Sequence, residues 1–235
     1  MGSTDPYFDE DIGDLRNLLG AKSSDELKIQ EPQVVFANEL ELSSVGIPRT
    51  NDLAELLAIH EQLFKGVYDW AGQIRTVDIK KNTDSSEFFL VVSKIKDASH
   101  YVFSELQNEN HLRDLNLDDF VQKMAYYYDQ LNYIHPFREG NGRAQRIFWT
   151  RIARDAGYEI DWGLITGDEN DEASRIAVEE SDVSHLVAMF MQITKVSNRD
   201  AENDHAEVID AQERANEKEY PFDELIQKYK DEGLL

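Results

Sequence analysis

Cysteine is absent from the sequence. Its absence excludes disulfide bonds, thiolate nucleophiles and cysteine-ligated zinc, and it agrees with a reducing cytosol. No stretch approaches the roughly 18 apolar residues of a membrane-spanning helix. The first segment, MGSTDPYFDEDIGDL, lacks the basic flank and apolar core of a secretory signal. We therefore expect a soluble, cytoplasmic protein without a membrane partner.

Basic side chains are also scarce. The 235 residues include 24 lysines and arginines against 47 aspartates and glutamates, which gives a net charge of −23. Such an acidic surface repels phosphate backbones and anionic lipids, so we expect no direct binding to nucleic acid. What the chain does have is 41% hydrophobic residues, enough for a folded core in one large domain or two small ones.

The hydrophobic spacing indicates one mainly helical domain over residues 1–195. Four helices are predicted from apolar periodicity, capping signals and breakers, over residues 53–64, 118–134, 143–156 and 186–193. Two short apolar runs, residues 74–79 and 88–92, flank the polar turn KKNTDSSE. They predict two strands of a small β-hairpin.

Residues 196–235 differ in composition from that domain, with many acidic and few apolar side chains. A solvated helix or a partly ordered tail explains this composition most simply. The alternative is a segment that covers a site on the domain or docks a partner. The sequence thus predicts a helical domain followed by an acidic tail.

The most informative segment is HPFREGNGRAQR, residues 135–146, which lies between two predicted helices. Gly140, Asn141 and Gly142 tolerate left-handed backbone angles, so successive N–H groups can turn inward and form a concave nest. The helix that follows adds the unpaired N–H groups of its first turn and the positive end of its dipole. Phosphate is the natural ligand of such a site.

Four charged or titratable side chains accompany this loop. Arg143 and Arg146 lie three residues apart and can face one phosphate group together. Glu139 is the only acid in residues 136–154, which suggests a ligand for Mg²⁺, since this ion takes one or two carboxylates plus phosphate oxygens. His135 titrates near neutrality and can accept a proton from an incoming nucleophile.

Each of these features alone has a plainer explanation. A histidine at a helix end is usually a cap or a core residue, a Gly-Asn-Gly loop is often only a turn, and arginines often line a solvated helix face. Their occurrence together within one segment of twelve residues favours a catalytic site over these separate structural roles. A base, a metal ligand, an anion nest and two guanidinium groups together describe the transfer of a phosphate-containing group.

The segment resembles the signature of the Fic family, His-x-Phe-x-(Asp/Glu)-Gly-Asn-Gly-Arg-x-x-Arg, and fills every fixed position of it. Three further segments resemble parts of the same family: DPYFDEDIGDLRNLLG (residues 5–20), YDWAGQIRTVDI (68–79) and AGYEIDW (156–162). The resemblance therefore covers roughly residues 5–195.

The resemblance implies an all-α Fic-type helical bundle with a small β-hairpin flap. It also implies transfer of AMP from ATP to a Tyr, Thr or Ser hydroxyl of a target protein, with release of pyrophosphate. His135 would be the general base, and Glu139 would hold Mg²⁺ between the α- and β-phosphates. The phosphates would be bound by Gly140, Asn141, Gly142, Arg143 and Arg146.

The predicted hairpin would be the flap that holds the target segment in extended form by main-chain pairing. Lys80 and Phe88 are the candidates for docking the target there. Phe88 has a second interpretation, as a buried anchor of the hairpin.

The resemblance also bears on how the activity is regulated. Many Fic enzymes are silenced by a helix carrying (Ser/Thr)-x-x-x-Glu-(Gly/Asn), whose glutamate pairs with the second arginine of the signature, here Arg146. The present sequence has no copy of that helix motif. We therefore expect a separate small antitoxin that supplies the glutamate to a bacterial toxin, whose targets include type II topoisomerases such as DNA gyrase. Inhibition by the acidic tail is the alternative.

Two other functions remain as alternatives. The chain could be a nucleotide-binding regulatory or interaction module that has lost transfer activity, although an intact His135 and Glu139 argue against it. It could instead be a phosphotransferase on the same scaffold, which the unaltered Gly-Asn-Gly-Arg loop disfavours. In either case we expect a small polyphosphate ligand. Residues 136–154 carry five arginines and one glutamate and so form a local basic site, while the rest of the acidic surface repels nucleic acid.

Overall fold

The computed structural model describes residues 5–80 and 89–197. These residues form seven α-helices: α1 Ser24–Leu40, α2 Leu53–Phe64, α3 Ile95–Asn108, α4 Leu117–Ile134, α5 Asn141–Asp155, α6 Gly167–Glu180 and α7 Ser184–Ile193. Two antiparallel pairs of short strands accompany them, β1 Phe8–Asp9 with β2 Asp14–Leu15 and β3 Tyr158–Ile160 with β4 Thr194–Val196. In the described part of the chain, no helix is long and apolar enough to cross a membrane.

The expected fold class is confirmed, because the molecule is mainly helical and contains a small two-stranded hairpin, formed by β1 and β2. Helices α4 and α5 form its centre. Large apolar side chains at helical spacing on both helices are completely or almost completely buried: Phe120, Met124, Tyr127, Tyr128, Leu131, Phe148, Trp149 and Ile152. Their burial places the loop between α4 and α5 on a rigid support.

Capping residues explain where these helices begin and end. The Asn116 side chain accepts a hydrogen bond from Asp119 N–H at 3.0 Å and starts α4. His135 ends it in a left-handed conformation, with φ 48° and ψ 64°, directly before Pro136. Gly140, with φ 81°, then precedes α5. The loop between the two helices is therefore only six residues long, from 135 to 140.

The four predicted helices are confirmed as α2, α4, α5 and α7, with ends that differ by at most two residues from the predicted ones. Three helices were not predicted from the sequence, namely α1, α3 and α6. Val196 and Ser197 are the only described residues of the predicted acidic tail, and Val196 belongs to strand β4. The rest of residues 196–235 lies outside the described part, so the proposed tail stays a prediction.

The strands predicted over residues 74–79 and 88–92 are wrong in detail. Residues 74–79 and 89–91 form no strand, and Val92–Lys94 forms a turn of 3-10 helix. One backbone hydrogen bond joins the two segments, from Phe89 N–H to the Ile79 carbonyl at 3.1 Å. The reason is that a side chain, Arg75, takes up the carbonyls that a strand ladder would use. We call residues 74–80 and 89–92 the flap base.

Candidate active site

The backbone carbonyl of Asn132 fixes the tautomer of the His135 ring. Nδ1 lies 3.1 Å from the carbonyl oxygen of Asn132, one turn earlier in α4. A carbonyl can only accept, so Nδ1 carries the proton in this hydrogen bond and Nε2 keeps its lone pair. The structure thus presents His135 in the tautomer that a general base requires.

The surroundings of His135 keep the ring neutral. Burial lowers its pKa from 6.5 to about 4, and the nearby positive charge of Arg75 acts in the same direction, while the hydrogen bond to Asn132 opposes the shift. The ring of Phe89 stacks on the imidazole with centroids 3.6 Å apart and planes at 13°. The ring is therefore neutral at neutral pH, with its one proton on Nδ1.

Asn141 holds the loop closed from the first position of α5. Its side-chain oxygen accepts from Phe137 N–H, and its side-chain amide donates to the Phe137 carbonyl, both at 2.8 Å. The Asn141 side chain is buried and Phe137 is completely buried. Any contact of Asn141 with phosphate would therefore use its backbone N–H, while its side chain shapes the loop.

Asn141→Asp is expected to lower the free energy of unfolding by about 1–3 kcal/mol. A carboxylate can still accept from Phe137 N–H, but it cannot donate to the Phe137 carbonyl and is buried as a charge. Urea denaturation measures the loss. The exposed Asn108, at the end of α3, supplies the matched control, and Asn108→Asp should change stability by less than about 0.5 kcal/mol. Equal losses in the two variants would contradict the assigned role of Asn141.

The beginning of α5 has the backbone geometry that the predicted anion site requires. The first-turn N–H groups of Asn141, Gly142 and Arg143 have no acceptor within the helix. Their dipoles and the positive end of α5 point out of the same end. No acidic residue lies in this first turn, so nothing in the turn itself competes with a bound phosphate.

Arg143 is held over the loop by three neighbours. Its Nη1 lies 2.5 Å from Oε1 of Glu31 in α1, and its Nη2 lies 3.2 Å from Oε1 of Glu139. Its guanidinium carbon lies 4.7 Å from the centroid of the Phe64 ring, a cation–π contact. Burial raises the pKa of Glu31, and the positive charge of Arg143 opposes that rise. Arg143 is thus placed beside the α5 N-terminus with its charge partly compensated.

Glu139 can serve as a magnesium ligand. Its carboxylate is half-exposed, and both of its contacts, with Gly140 N–H at 2.9 Å and with Arg143, use Oε1. Oε2 makes no hydrogen bond to any described residue. Residues 5–80 and 89–197 contain no group of three or more metal-ligating side chains. A metal here would take one carboxylate oxygen from Glu139 and the rest from phosphate and water, which suits Mg²⁺.

Arg146, the second predicted phosphate ligand on α5, is half-buried one turn after Arg143. Its charge reaches the buried Tyr128 of α4, whose pKa burial raises to about 12 against the influence of Arg146. The Tyr128 hydroxyl donates to the side-chain oxygen of Asn170 in α6 at 2.7 Å. Arg146 therefore lies on the side of α5 that faces α4, whereas Arg143 faces α1 and α2.

His60 is a site residue that sequence reasoning missed. Gly72 N–H donates to its Nδ1 at 2.9 Å, so its Nε2 carries the proton and donates to the Glu139 carbonyl at 3.0 Å. The ring is completely buried, stacks on Phe137 at 3.7 Å, and burial lowers its pKa to about 4. His60 thus joins two distant parts of the chain to the loop that carries Glu139. A polar residue on the apolar face of a leucine-rich helix was the available signal.

The amino-terminal DPY segment also contacts the loop. The Asp5 carboxylate accepts from Arg138 Nε at 2.8 Å. The Tyr7 hydroxyl accepts from Thr76 N–H at 3.0 Å and so fastens the flap base. Arg138 is therefore committed to Asp5 rather than to a ligand, and three of the four segments that resemble the Fic family meet at one place.

The two predicted docking residues have different outcomes. Lys80 is exposed at the end of the described flap segment, where a target could reach it. Phe88 lies outside the described residues, so its role stays a prediction. Its neighbour Phe89, which sequence reasoning did not select, is the aromatic residue that stacks on His135.

Comparison with known proteins agrees with this geometry. The model of the Fic/DOC family matches residues 50–153, which include α2, the flap base and the whole loop. The chain is 34% identical over 190 residues to a probable protein adenylyltransferase Fic of Salmonella typhimurium, covering 80% of this chain and 91% of that protein. The chain belongs to the Fic/DOC family. The resemblance seen in the sequence is confirmed.

Other members of the Fic/DOC family differ in length. A probable protein adenylyltransferase Fic of Escherichia coli is 33% identical over 202 residues, which cover 85% of this chain and 96% of that protein. The protein adenylyltransferase VbhT of Bartonella schoenbuchensis is 40% identical over 178 residues, or 76% of this chain. The chain spans only 36% of VbhT.

Solved structures share the fold. A Fic domain of a putative cell filamentation protein from Bartonella quintana, crystallised with bound ADP, has a TM-score of 0.76 and 27% identity. The match covers 82% of this chain and 95% of the Bartonella quintana domain. The BepC protein of Bartonella tribocorum, crystallised with AMPPNP, also has a TM-score of 0.76, over 82% of this chain and 97% of that one. At 24% identity, the likeness to BepC concerns the fold alone.

Proposed function

We propose that the chain is a protein adenylyltransferase that moves AMP from ATP to a Tyr, Thr or Ser hydroxyl of a target protein. The observation that carries the proposal is the His135 ring, neutral and with its Nε2 lone pair available, on the six-residue loop that leads into the anion site of α5. The names of three relatives support it, since one is named a protein adenylyltransferase and two are named probable protein adenylyltransferases.

The residues support an in-line displacement at the α-phosphorus. The target hydroxyl oxygen forms a bond to the α-phosphorus of ATP while His135 Nε2 takes the hydroxyl proton. The bond from the α-phosphorus to the oxygen bridging to the β-phosphate breaks, and pyrophosphate leaves with that electron pair. The N–H groups at the start of α5, Arg143 and Arg146 would stabilise the negative charge that builds up on the phosphates.

Glu139 would hold Mg²⁺ at this site through Oε2, because Oε1 already accepts from Gly140 N–H and contacts Arg143. The ion would neutralise phosphate charge during the displacement. Arg143 would keep its contacts with Oε1 of Glu139 and with Glu31. The guanidinium would therefore stay over the Phe64 ring while its other side turns to phosphate.

Labelled ATP tests the proposal. The chain is incubated with a bacterial lysate and ATP labelled at either the α- or the γ-phosphate. We expect label on protein from the α-position only. Label from the γ-position only would establish the phosphotransferase alternative, and bound ATP without any transfer would establish the silent module. Each result thus selects one of the three functions.

Glu139→Gln is expected to lower the transfer rate at least about tenfold and to raise the Mg²⁺ concentration needed for half-maximal rate. The amide oxygen still accepts from Gly140 N–H, so the loop keeps its shape, but the charge that attracts the ion is lost. Rates measured across a series of Mg²⁺ concentrations show the change. Glu105→Gln, on α3, removes a carboxylate remote from the loop and should leave the series unchanged.

The biological role we propose is that of a bacterial toxin acting on a protein target, such as the type II topoisomerase DNA gyrase. We further propose that a separate small antitoxin silences it with a glutamate directed at Arg146. The absence of the (Ser/Thr)-x-x-x-Glu-(Gly/Asn) motif from the sequence supports this proposal.

The chain purified alone should adenylylate gyrase faster than its antitoxin-bound form. Equal rates would refute the antitoxin, and a rate gained only by truncation after Ser197 would assign inhibition to the tail.

A further inference from the structure

Arg75 is a completely buried arginine on the flap base, with no side-chain surface exposed to solvent. A guanidinium keeps its charge under all ordinary conditions, so its burial is costly unless acceptors surround it. The structure supplies three carbonyl oxygens to the side chain. Asp78 is the nearest carboxylate, but it lies 3.8 Å away and is half-exposed. The acceptors, rather than an ion pair, therefore determine where Arg75 sits.

The hydrogen bonds of Arg75 connect the loop to both sides of the flap base. Nε donates to the His135 carbonyl at 2.9 Å, and the backbone N–H of Arg75 donates to the Pro136 carbonyl at 2.8 Å. Nη1 donates to the Val77 carbonyl at 2.7 Å, and Nη2 donates to the Leu90 carbonyl. One side chain thus ties the residue that carries the imidazole to the two segments that lead into and out of the flap.

The backbone of His135 needs such support. Its left-handed conformation is unfavourable for a residue with a side chain and persists only where neighbouring contacts hold it. Its N–H donates to the Leu131 carbonyl at 3.1 Å, and its own carbonyl accepts from Arg75. Without the second bond, the peptide after His135 could rotate and the ring would leave its place between Asn132 and Phe89.

We propose that Arg75 is a positioning residue that holds the base His135 and the flap base in one fixed arrangement. A target segment held by the flap would then meet Nε2 at a set distance. This inference rests on the proposed function. Alignment of this kind matters because a misplacement of about 1 Å can cost a reaction about a hundredfold in rate.

The charge of Arg75 contributes a second, separable effect. It is the charged side chain that lowers the pKa of His135 in addition to burial. Asp78, Arg138 and Tyr7 are the groups that act on Arg75 itself. Lysine in place of Arg75 would keep the charge but lose the three-pronged geometry, whereas methionine would lose both. The two variants therefore separate alignment from electrostatics.

The test compares Arg75→Lys and Arg75→Met with the wild-type chain in kcat and in the Kd for Mg–ATP. We expect Arg75→Lys to lower kcat at least about tenfold and to leave Kd within about twofold, because none of its bonds goes to the anion site. Arg113→Lys, at a surface arginine paired with Asp155, is the matched control and should change neither value. An Arg75→Lys variant with wild-type kcat, or with Kd and kcat altered by the same factor, would overturn the proposal.

Nuclear magnetic resonance of the His135 ring in the ATP-free chain gives a readout independent of activity. We expect Arg75→Lys to shift the resonances of the ring while its pKa stays low, and Arg75→Met to raise the pKa toward 6.5. If Arg75→Met fails to fold, the resonances of Arg75→Lys decide the matter alone. Ring resonances unchanged in Arg75→Lys would overturn the proposal. If the wild-type chain transfers no AMP, the proposed function fails, while the ring resonances still show whether Arg75 positions His135.

Discussion

Replacing His135 with alanine is expected to lower the rate of AMP transfer by about a hundredfold to ten-thousandfold, while the affinity for Mg–ATP changes little. The proposed base would act on the target hydroxyl and not on the nucleotide. Its Nε2 lone pair is available because Nδ1–H is engaged with the Asn132 carbonyl and because burial keeps the ring neutral. Single-turnover rates with α-labelled ATP and calorimetric ATP binding measure the two quantities separately.

His111 provides the control for this experiment. It is also a histidine in a left-handed conformation, with φ 53°, but it lies in the 3-10 turn Asn110–Leu112 after α3, near Arg113 and Asp155. His111→Ala therefore reproduces the backbone change without touching the proposed base, and its transfer rate should equal that of the wild type. A His135→Ala variant that retains transfer would remove His135 from the role of base.

Gly140→Ala is expected to lower the free energy of unfolding by about 2–5 kcal/mol. Gly140 has φ 81°, where an alanine is strained, and a Cβ there would overlap Cζ and Cε2 of the Phe64 ring. Phe64 is completely buried, stacks on His60 at 4.5 Å and lies under Arg143, so it has no room to withdraw. The variant should also lose ATP binding, because Phe64 and Gly140 lie at the start of α5, where the proposed anion site is.

Two other glycines separate the causes. Gly157 has φ 87° but open space where a Cβ would point, so Gly157→Ala should cost only the backbone strain, about 1–2 kcal/mol. Gly142 has neither a positive φ nor a close neighbour, so Gly142→Ala should change stability by less than about 1 kcal/mol. Urea denaturation of the three variants ranks their losses in the free energy of unfolding. A loss for Gly140→Ala no larger than for Gly157→Ala would show that the contact with Phe64 is not tight.

The helices that build the centre of the fold were predictable because their signals are local. Apolar residues at helical spacing, Pro136 and Gly157 define α4 and α5 almost to the residue. Helix α1 was not predictable in this way, because Pro32 lies in its interior, where proline usually breaks a helix. Helix α6 did carry a local signal, the capping box of Thr166 and Glu169, which sequence reasoning overlooked.

The site was predictable only where it is contiguous in sequence. Residues 135–146 carry the proposed base, the proposed metal ligand and the proposed anion site in one segment. His60 and Arg75 escaped notice because they act on the carbonyls of Glu139 and His135, which are 79 and 60 residues away in the chain. The same long-range bonds of Arg75 explain why the predicted strands do not form. The alternation of apolar and polar side chains predicts a strand, but it does not show that a buried arginine occupies the carbonyls between the two segments.

The reaction proposed for the site around His135 moves an adenylyl group, and not a phosphoryl group, to a protein hydroxyl. Mass spectrometry of the target after incubation with the chain and Mg–ATP distinguishes the two groups. We expect a Tyr, Thr or Ser side chain carrying AMP, formed by the wild type and not by His135→Ala. A phosphorylated side chain, or the same adenylylated product from both proteins, would contradict it.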